Sequence, residues 1–152
     1  MSKLKLLINT PDIGLLGGVS NHYLGLKKHW SFNVNHNTIG SRYHLSGILL
    51  LPFDIVKFII KCILFKPSVV LLNPSLGMNA IRRDAIFLKI SKLLNLKTIV
   101  FFHGWDSKVE LYFDSNPKKI RKFFEKADGF FVLSDEFRHK LQQWGIKSTI
   151  HL

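Results

Sequence analysis

The chain alternates short apolar runs with longer segments in which apolar positions recur every three or four residues. Six runs are predicted as strands: 4–9, 32–38, 68–73, 98–103, 129–133 and 147–152. Two of them, Val69-Val70-Leu71-Leu72 and Ile99-Val100-Phe101-Phe102, are apolar at every position. Continuous apolarity indicates that both faces of a strand are buried, which is typical of a parallel sheet covered by helices.

Five helices are predicted between these strands, over 18–29, 50–65, 78–94, 117–126 and 135–144. Capping residues mark some of their ends: Asn116 precedes Pro117, Ser134 precedes an acidic first turn, and Gly145 follows the last helix. The alternation predicts right-handed βαβ units. We therefore expect a single three-layer, Rossmann-like α/β domain over 1–152, with a mostly parallel sheet. The expected strand order is second–first–third–fourth–fifth, with any terminal strand at the far edge.

The charge of the chain is strongly positive, because 22 Lys and Arg face 10 Asp and Glu, a formal net charge of +12. This excess favours an anionic partner, such as a nucleotide phosphate, a nucleic acid or an anionic membrane face. No helix-turn-helix, RNP aromatic or zinc pattern occurs, which disfavours nucleic acid. An apolar content of 47% excludes a disordered protein, and the single cysteine, Cys62, excludes an internal disulfide.

A membrane surface is one such anionic partner. The most apolar stretch, 48–65, is interrupted by a proline and three charged residues, so it is not expected to span a membrane. The N-terminal apolar run is too short for a signal peptide, so a cytoplasmic location is expected. The segment 117–126 carries five Lys or Arg with phenylalanines between them. Together with Lys57 and Lys61 it predicts peripheral attachment to anionic lipid at the inner face of the membrane. An ordinary solvated helix face is the alternative explanation.

A loop that contains glycines, 9–21, follows the first predicted strand and opens the first helix. Gly17 and Gly18 would let a ligand approach the backbone, and the first N–H groups of the helix would face an anion such as a phosphate. The spacing of the glycines does not match the dinucleotide-binding fingerprint, and no acidic residue ends the second strand. A tight turn between strand and helix is the alternative.

Polar residues also follow the third predicted strand. Asn73 and Ser75 lie in its loop, and Arg83 and Asp84 lie in the first turns of the next helix. Ligands of an open α/β sheet bind beyond the carboxyl ends of its strands. Arginine there could hold an anionic or hydroxyl-rich substrate, and the adjacent aspartate could orient it. Turn chemistry in the loop and a solvated helix face are the alternatives.

The fourth predicted strand closes with His103-Gly104-Trp105-Asp106. His103 at a strand end can present a ring nitrogen to a ligand, with Trp105 as an aromatic wall and Asp106 beside it. A structural histidine is the alternative. No His-x3-His or His-Glu-x2-His pattern occurs, so no metal is expected.

Several of these segments occur in an order that resembles one known family. They are Gly17-Gly18-Val19-Ser20-Asn21-His22, 69–75, Phe102-His103-Gly104-Trp105-Asp106, and Phe131-Val132-Leu133-Ser134 followed by Trp144-Gly145-Ile146. Their order and spacing resemble the N-terminal, acceptor-side domain of GT-B glycosyltransferases of family 4, the retaining "group 1" type. The resemblance covers nearly the whole chain.

The resemblance implies transfer of a sugar from a nucleotide-sugar donor to a glycan or lipid-linked acceptor, in cell-surface polysaccharide synthesis and without a cofactor. It implies that Gly17 and Gly18 border the donor diphosphate and that His103, as the catalytic residue, reaches the transferred sugar. The acceptor side that it implies consists of Asn73, Ser75, Arg83, Asp84, Trp105 and Asp106.

Members of that family also carry a second domain, which binds the donor nucleotide and holds a Glu-x7-Glu motif. None of the three glutamates of this chain has a glutamate eight positions later. We therefore expect the donor-binding C-terminal domain to be absent from this chain. The chain would then be inactive alone and would need that domain, or a second chain, as a partner. The alternative is a non-catalytic partner subunit or a binding module that recruits an acceptor.

Overall fold

The computed structural model describes residues 4–14, 17–42 and 44–152. It has an α/β fold with a six-stranded, mostly parallel sheet flanked by helices, which confirms the predicted Rossmann-like class. The strands are β1 (Lys5–Thr10), β2 (Asn33–Thr38), β3 (Val69–Leu72), β4 (Ser75–Leu76), β5 (Lys97–Phe101), β6 (Gly104–Trp105), β7 (Gly129–Phe131) and β8 (Thr149–His151). The helices are α1 (Gly18–Leu26, with a 3-10 turn at Lys27–His29), α2 (Gly47–Phe65), α3 (Met78–Leu93), α4 (Ser107–Ser115), α5 (Pro117–Phe124) and α6 (Asp135–Gln143).

The residues group into two compact units, and the first is Met1–Leu71. Its central strand is β1, which pairs in parallel with β2 from Lys5–Asn33 to Thr10–Thr38 and with β3 from Leu6–Val69 to Ile8–Leu71. This β2-β1-β3 order confirms the predicted second–first–third arrangement. The β1 residues Leu7 and Ile8 are fully buried, as their continuous apolar run predicts.

The second unit is Leu72–Leu152. Here β5 pairs in parallel with β7, and β7 pairs in parallel with β8. The fourth and fifth predicted strands are therefore neighbours, and the terminal strand lies at the edge, as expected. Phe102, Phe124 and Phe130 are fully buried, and the ring of Phe102 lies 5.6 Å from that of Phe124 and 6.4 Å from that of Phe130. Aromatic packing thus forms much of the core of this unit.

The long helix α2 begins at Gly47, three residues before its predicted start. The reason is Ser46, whose hydroxyl accepts a hydrogen bond from the N–H of Leu49 at 3.4 Å and caps the helix. The helix continues through Pro52 and ends at Phe65; the next residue, Lys66, has a φ of 49° and donates its N–H to the carbonyl of Cys62. Within the described ranges, no helix is long and apolar enough to cross a membrane.

The two faces of α2 differ sharply in exposure. Asp54, Phe58 and Cys62 lie buried on one face. The opposite face exposes seven large apolar side chains to solvent: Ile48, Leu49, Phe53, Val56, Ile60, Ile63 and Leu64. This helix is therefore apolar on both its buried and its exposed side.

Lys57 and Lys61 of α2 are half-buried and bind backbone groups of β2. The ammonium of Lys57 donates to the carbonyl of Thr38 at 3.0 Å, and that of Lys61 donates to the carbonyl of His36. Burial lowers the pKa of both lysines. The two ammonium groups that we expected on a lipid-facing surface are thus held at the end of a strand.

Three short elements were not predicted from the pattern: α4, β4 and β6. The apolar positions of α4 that repeat at helical spacing, Val109 and Phe113, cover a single turn, which is too little periodicity to identify a helix. The strands β4 and β6 have two residues each, so no alternation can be read from them.

A buried ion pair fixes the start of α2 in the first unit. Asp54 is 1% exposed, and its two carboxylate oxygens accept hydrogen bonds from the guanidinium of Arg42. One of these oxygens also accepts from the N–H of Gly40 at 3.2 Å. The carboxylate therefore links the chain after β2 to the helix that follows it.

We predict that Asp54→Ala destabilises the protein by about 3 kcal/mol or more, because it leaves the Arg42 guanidinium, 11% exposed, without its carboxylate. Urea unfolding followed by circular dichroism measures this free energy. The matched control is Asp135→Ala, which breaks the exposed Asp135–Arg138 pair and should change stability little. Equal losses in the two variants would contradict the structural role of Asp54.

Candidate functional site

The nine residues that sequence reasoning selects fall into two groups. Gly17 and Gly18 belong to the first unit. The other seven belong to the second unit: Asn73, Ser75, Arg83, Asp84, His103, Trp105 and Asp106.

Gly17 and Gly18 form the start of α1. The carbonyl of Gly17 accepts the N–H of Asn21 at 2.8 Å, and Gly18 is the first helical residue. Among the described residues, a Cβ at Gly18 would meet no atom within 4 Å, and one at Gly17 would meet only the hydroxyl of Ser20, at 3.9 Å. None of the described side chains therefore crowds the backbone at this helix start, and no acidic residue occupies the first turn of the helix.

In the second unit, two loops are joined by a small parallel ladder. Ser75 of β4 pairs with Gly104 of β6, and Leu76 pairs with Trp105. One residue earlier, the N–H of His103 donates to the carbonyl of Pro74 at 3.4 Å. The loop that holds Asn73 and Ser75 and the loop that holds His103 and Trp105 thus lie side by side, as their positions after two parallel strands predict.

Close approach of the two loops depends on Gly104. A Cβ built on this glycine would lie 3.1 Å from the Cβ of Ser75 and 3.7 Å from its Cα. Because the atoms in the way belong to the paired strand rather than to a flexible side-chain end, a larger residue would push the ladder apart.

His103 lies half-buried at the end of β5. Its ring centroid is 3.8 Å from that of Phe101, at an angle of 41° between the ring planes. Phe101 in turn packs edge-on against Phe131 of β7, with centroids 5.9 Å apart. The imidazole is thus placed by a backbone bond on one side and by aromatic packing on the other; the residue as a whole is partly exposed, but its Nε2 atom is buried.

Trp105 lies half-buried in an aromatic stack. Its ring is nearly parallel to those of Phe137, 4.1 Å away, and Trp144, 5.6 Å away. Its indole N–H donates to a carboxylate oxygen of Glu110 at 2.6 Å. These contacts fix the orientation of the ring and attach the His103 loop to α4 and α6.

Sequence reasoning did not select the polar residues around this stack. The ammonium of Lys140 bridges the carboxylates of Glu110 and Asp114, each at 2.9 Å. Asp114 also accepts the indole N–H of Trp144 at 2.9 Å. The signal available in the sequence was the four-residue spacing of the two acids, which places them on one face of a helix, but that helix was not predicted.

Asp106 caps a helix, and Asn73 is buried. The carboxylate of Asp106 caps α4 by accepting the N–H groups of Lys108 at 2.9 Å and Val109 at 3.4 Å. Asn73 is 3% exposed. A ligand that touches the Asp106 carboxylate must therefore share it with the start of the helix.

Arg83 and Asp84 form a pair of neighbours on α3. The guanidinium of Arg83 donates to one oxygen of Asp84, Oδ2, from Nε at 3.1 Å and from a terminal nitrogen at 2.5 Å. The other oxygen, Oδ1, is buried, and no described residue donates a hydrogen bond to it. Complete burial raises the pKa of Asp84 and outweighs the opposite effect of the Arg83 charge.

The arrangement brings together some of the selected residues. Ser75, His103 and their loops meet in the β4–β6 ladder, and Arg83 and Asp84 bind one another. Trp105 and Asp106 are held by α4 and α6 instead. Over the described part of the chain, no three His, Cys, Asp or Glu side chains are grouped so that they could hold a metal ion.

Comparison of the chain with protein-family models, with curated proteins and with solved structures gives no match. The family resemblance of the sequence segments therefore stays a prediction.

We predict that Gly104→Ala lowers the free energy of unfolding by about 1 kcal/mol, because its new methyl group would crowd Ser75. Adding Ser75→Gly should restore much of this loss, since it removes the Cβ that is met at 3.1 Å. Urea titration of the single and double variants measures the coupling.

Gly25→Ala in α1 is the control, because a Cβ there meets no atom within 4 Å and alanine favours a helix. Absence of rescue by Ser75→Gly would show that crowding in the β4–β6 ladder is not the cause.

A second prediction concerns pH. Because the pKa of Asp84 is raised in the folded protein, the folded state binds the proton more tightly than the unfolded state, and stability falls as pH rises above about 4. Asp84→Asn cannot ionise, so its melting temperature should improve relative to the parent between pH 3.5 and pH 7. Thermal melts across this range measure the difference.

Asp128→Asn is the matched control with the opposite sign. Partial burial raises the pKa of Asp128, but hydrogen bonds from Lys92 and from the N–H of Thr98 lower it overall. The Asp128 carboxylate therefore stabilises the fold above about pH 4, and this variant should weaken relative to the parent as pH rises. If the melting temperatures of both variants changed with pH in the same direction relative to the parent, the raised pKa of Asp84 would be refuted.

Proposed function

We propose that this chain is the acceptor-side domain of a glycosyltransferase of the GT-B type, family 4, which transfers a sugar from a nucleotide-sugar donor to a glycan or lipid-linked acceptor. The Rossmann-like α/β fold is compatible with this proposal, although folds of this class serve many functions. The sequence segments that resemble the family supply the specific argument.

The observation that carries the proposal is the β4–β6 ladder. It joins the loops after two strands of a parallel sheet and holds Ser75 and the His103 backbone side by side. Substrates of open α/β sheets bind at this edge. The two paired loops carry an imidazole, a serine hydroxyl and polar backbone groups, and such groups suit the recognition of sugar hydroxyls, which both donate and accept hydrogen bonds.

In this proposal His103 is the catalytic residue and forms a hydrogen bond with the transferred sugar. Asn73 and Ser75 shape the acceptor side, and Trp105 forms an aromatic wall that Glu110 and the stacked rings keep in place. Arg83, with its charge partly balanced by Asp84, binds acceptor hydroxyls as a directed donor rather than as a free cation.

The donor side of the proposal rests on α1. Negative charge develops on the leaving diphosphate during transfer, and fixed N–H donors stabilise it. The helix start at Gly17 and Gly18 offers such donors, and none of the described side chains crowds it. The groups that bind the nucleotide itself would come from a further domain or chain.

We predict that His103→Ala lowers kcat for sugar transfer about a hundredfold, the usual effect of losing one preorganised contact in the transition state, and leaves the fold intact. The assay uses the protein in the form in which its cell makes it, with radiolabelled nucleotide-sugars and membrane glycolipids as acceptors. Melting temperature is measured on the same samples.

His139→Ala, at an exposed position of α6, is the control and should change neither quantity. A large fall in melting temperature with a near-normal kcat would show that His103 is structural. Absence of turnover in the parent protein with every common nucleotide-sugar would count against the transferase itself.

The alternative is a binding module that recruits an acceptor without catalysis. The engagement of the Asp106 carboxylate in a helix cap and of Arg83 with Asp84 favours it, because both groups already have partners. A binding module would retain acceptor glycans in His103→Ala and show no turnover in either form.

A further inference from the structure

A groove of about 600 Å³ lies between α3 and α5 in the second unit, and we call it the α3–α5 groove. Residues within 82–93 and 122–126 line it, and they comprise five apolar and five basic residues. Its volume is within the range of small-molecule sites, which are concave and mostly apolar with a few polar groups. The groove is therefore large enough for one ligand rather than being a flat patch.

Part of the apolar lining of the groove is accessible to solvent, whereas Leu88 is buried. Leu93 is 74% exposed and Ile86 is 39% exposed, and Phe123 of α5 faces them from the other helix. Apolar surface of this kind gains free energy when an apolar ligand covers it.

Four of the five basic residues of the groove form no ion pair among the described residues. Lys92 is paired with Asp128. The other four, Arg82, Lys89, Lys122 and Lys126, are exposed and form no ion pair among the described residues. No acidic residue lines the groove. The groove therefore attracts an anion and offers it several cations at once.

We propose that the α3–α5 groove binds an anionic lipid, with an acyl chain on Ile86, Leu93 and Phe123 and a phosphate headgroup at the surrounding lysines and Arg82. A free phosphate would leave the apolar residues exposed, and a neutral chain would leave the cations unpaired. Nucleic acid would use the cations but would find a single aromatic ring for its bases. An amphiphilic anion matches both halves of the lining.

This inference stands apart from the proposed sugar transfer, because the groove includes neither His103 nor the β4–β6 ladder. It also places lipid binding at residues other than Lys57 and Lys61, whose ammonium groups bind β2. A lysine near an anionic lipid surface contributes enough for a measurable change when it is removed.

The test is calorimetric titration of the full chain with dodecyl phosphate, kept below its critical micelle concentration. Inorganic phosphate and dodecyl maltoside serve as probes of the headgroup alone and of the chain alone. We expect saturable binding of dodecyl phosphate, at least tenfold tighter than that of either comparison probe. Equal affinity for inorganic phosphate, or for the maltoside, would overturn the proposal.

The groove variant is Lys122→Gln with Lys126→Gln, which should weaken dodecyl phosphate binding about thirtyfold. Its control is Lys108→Gln with Lys118→Gln, which removes the same charge from exposed positions of α4 and α5 outside the groove and should leave the affinity within twofold. Equal weakening in both double variants would show attraction by net charge alone and would refute the site.

A variant of the apolar half completes the test. Ala85→Phe places a ring in the groove, so it should weaken dodecyl phosphate binding at least tenfold and leave the weak response to inorganic phosphate unchanged. Circular dichroism melts confirm that each variant is folded. Unchanged dodecyl phosphate binding by folded Ala85→Phe would place the acyl chain elsewhere and overturn the proposal.

Discussion

Parallel backbone pairing at the ends of strands is the constraint on which the candidate site depends. The β4–β6 ladder has two pairs of residues, yet it determines which side chains stand at the carboxyl edge in the second unit. Its separation is set by the absence of a side chain at Gly104, opposite Ser75. The aromatic stack of Trp105 with Phe137 and Trp144 then attaches this edge to two helices. The backbone pairing of the two loops therefore determines where the side chain of His103 lies.

The distribution of charge follows from how the few acids are used. Eight of the ten acidic residues accept hydrogen bonds from a cation, an indole or a backbone N–H: Asp12, Asp54, Asp84, Asp106, Glu110, Asp114, Asp128 and Asp135. Few acids are therefore left to balance the surface lysines. The net charge of +12 is thus concentrated in exposed cations, and the α3–α5 groove is a place where several of them surround apolar side chains.

The sequence predicts most of the strands and helices because these carry a long or continuous apolar signal, as in Val69–Leu72 of β3 and Phe87 with Leu88 of α3. It does not predict α4, which depends on the Asp106 cap and on the Trp105–Glu110 bond rather than on its own periodicity. For the candidate site, the sequence predicts only that the selected residues lie after the ends of strands. Asp106 and Arg83 already form hydrogen bonds within the protein, Asp106 with the start of α4 and Arg83 with Asp84. Such bonds depend on the three-dimensional arrangement, which a pattern of residue types does not contain.

The stacking of Trp105 on Trp144 has an optical consequence. Two indole rings 5.6 Å apart couple through their strong far-ultraviolet transitions, so they produce a paired circular dichroism band there that a single tryptophan does not. Trp30, the third tryptophan, lies in the first unit beside Phe32 and has no part in that pair. The paired band is therefore a natural reporter for the loop that carries His103. A compound that binds at this loop would change the paired band without any added label. A compound that binds near Trp30 would leave the paired band unchanged.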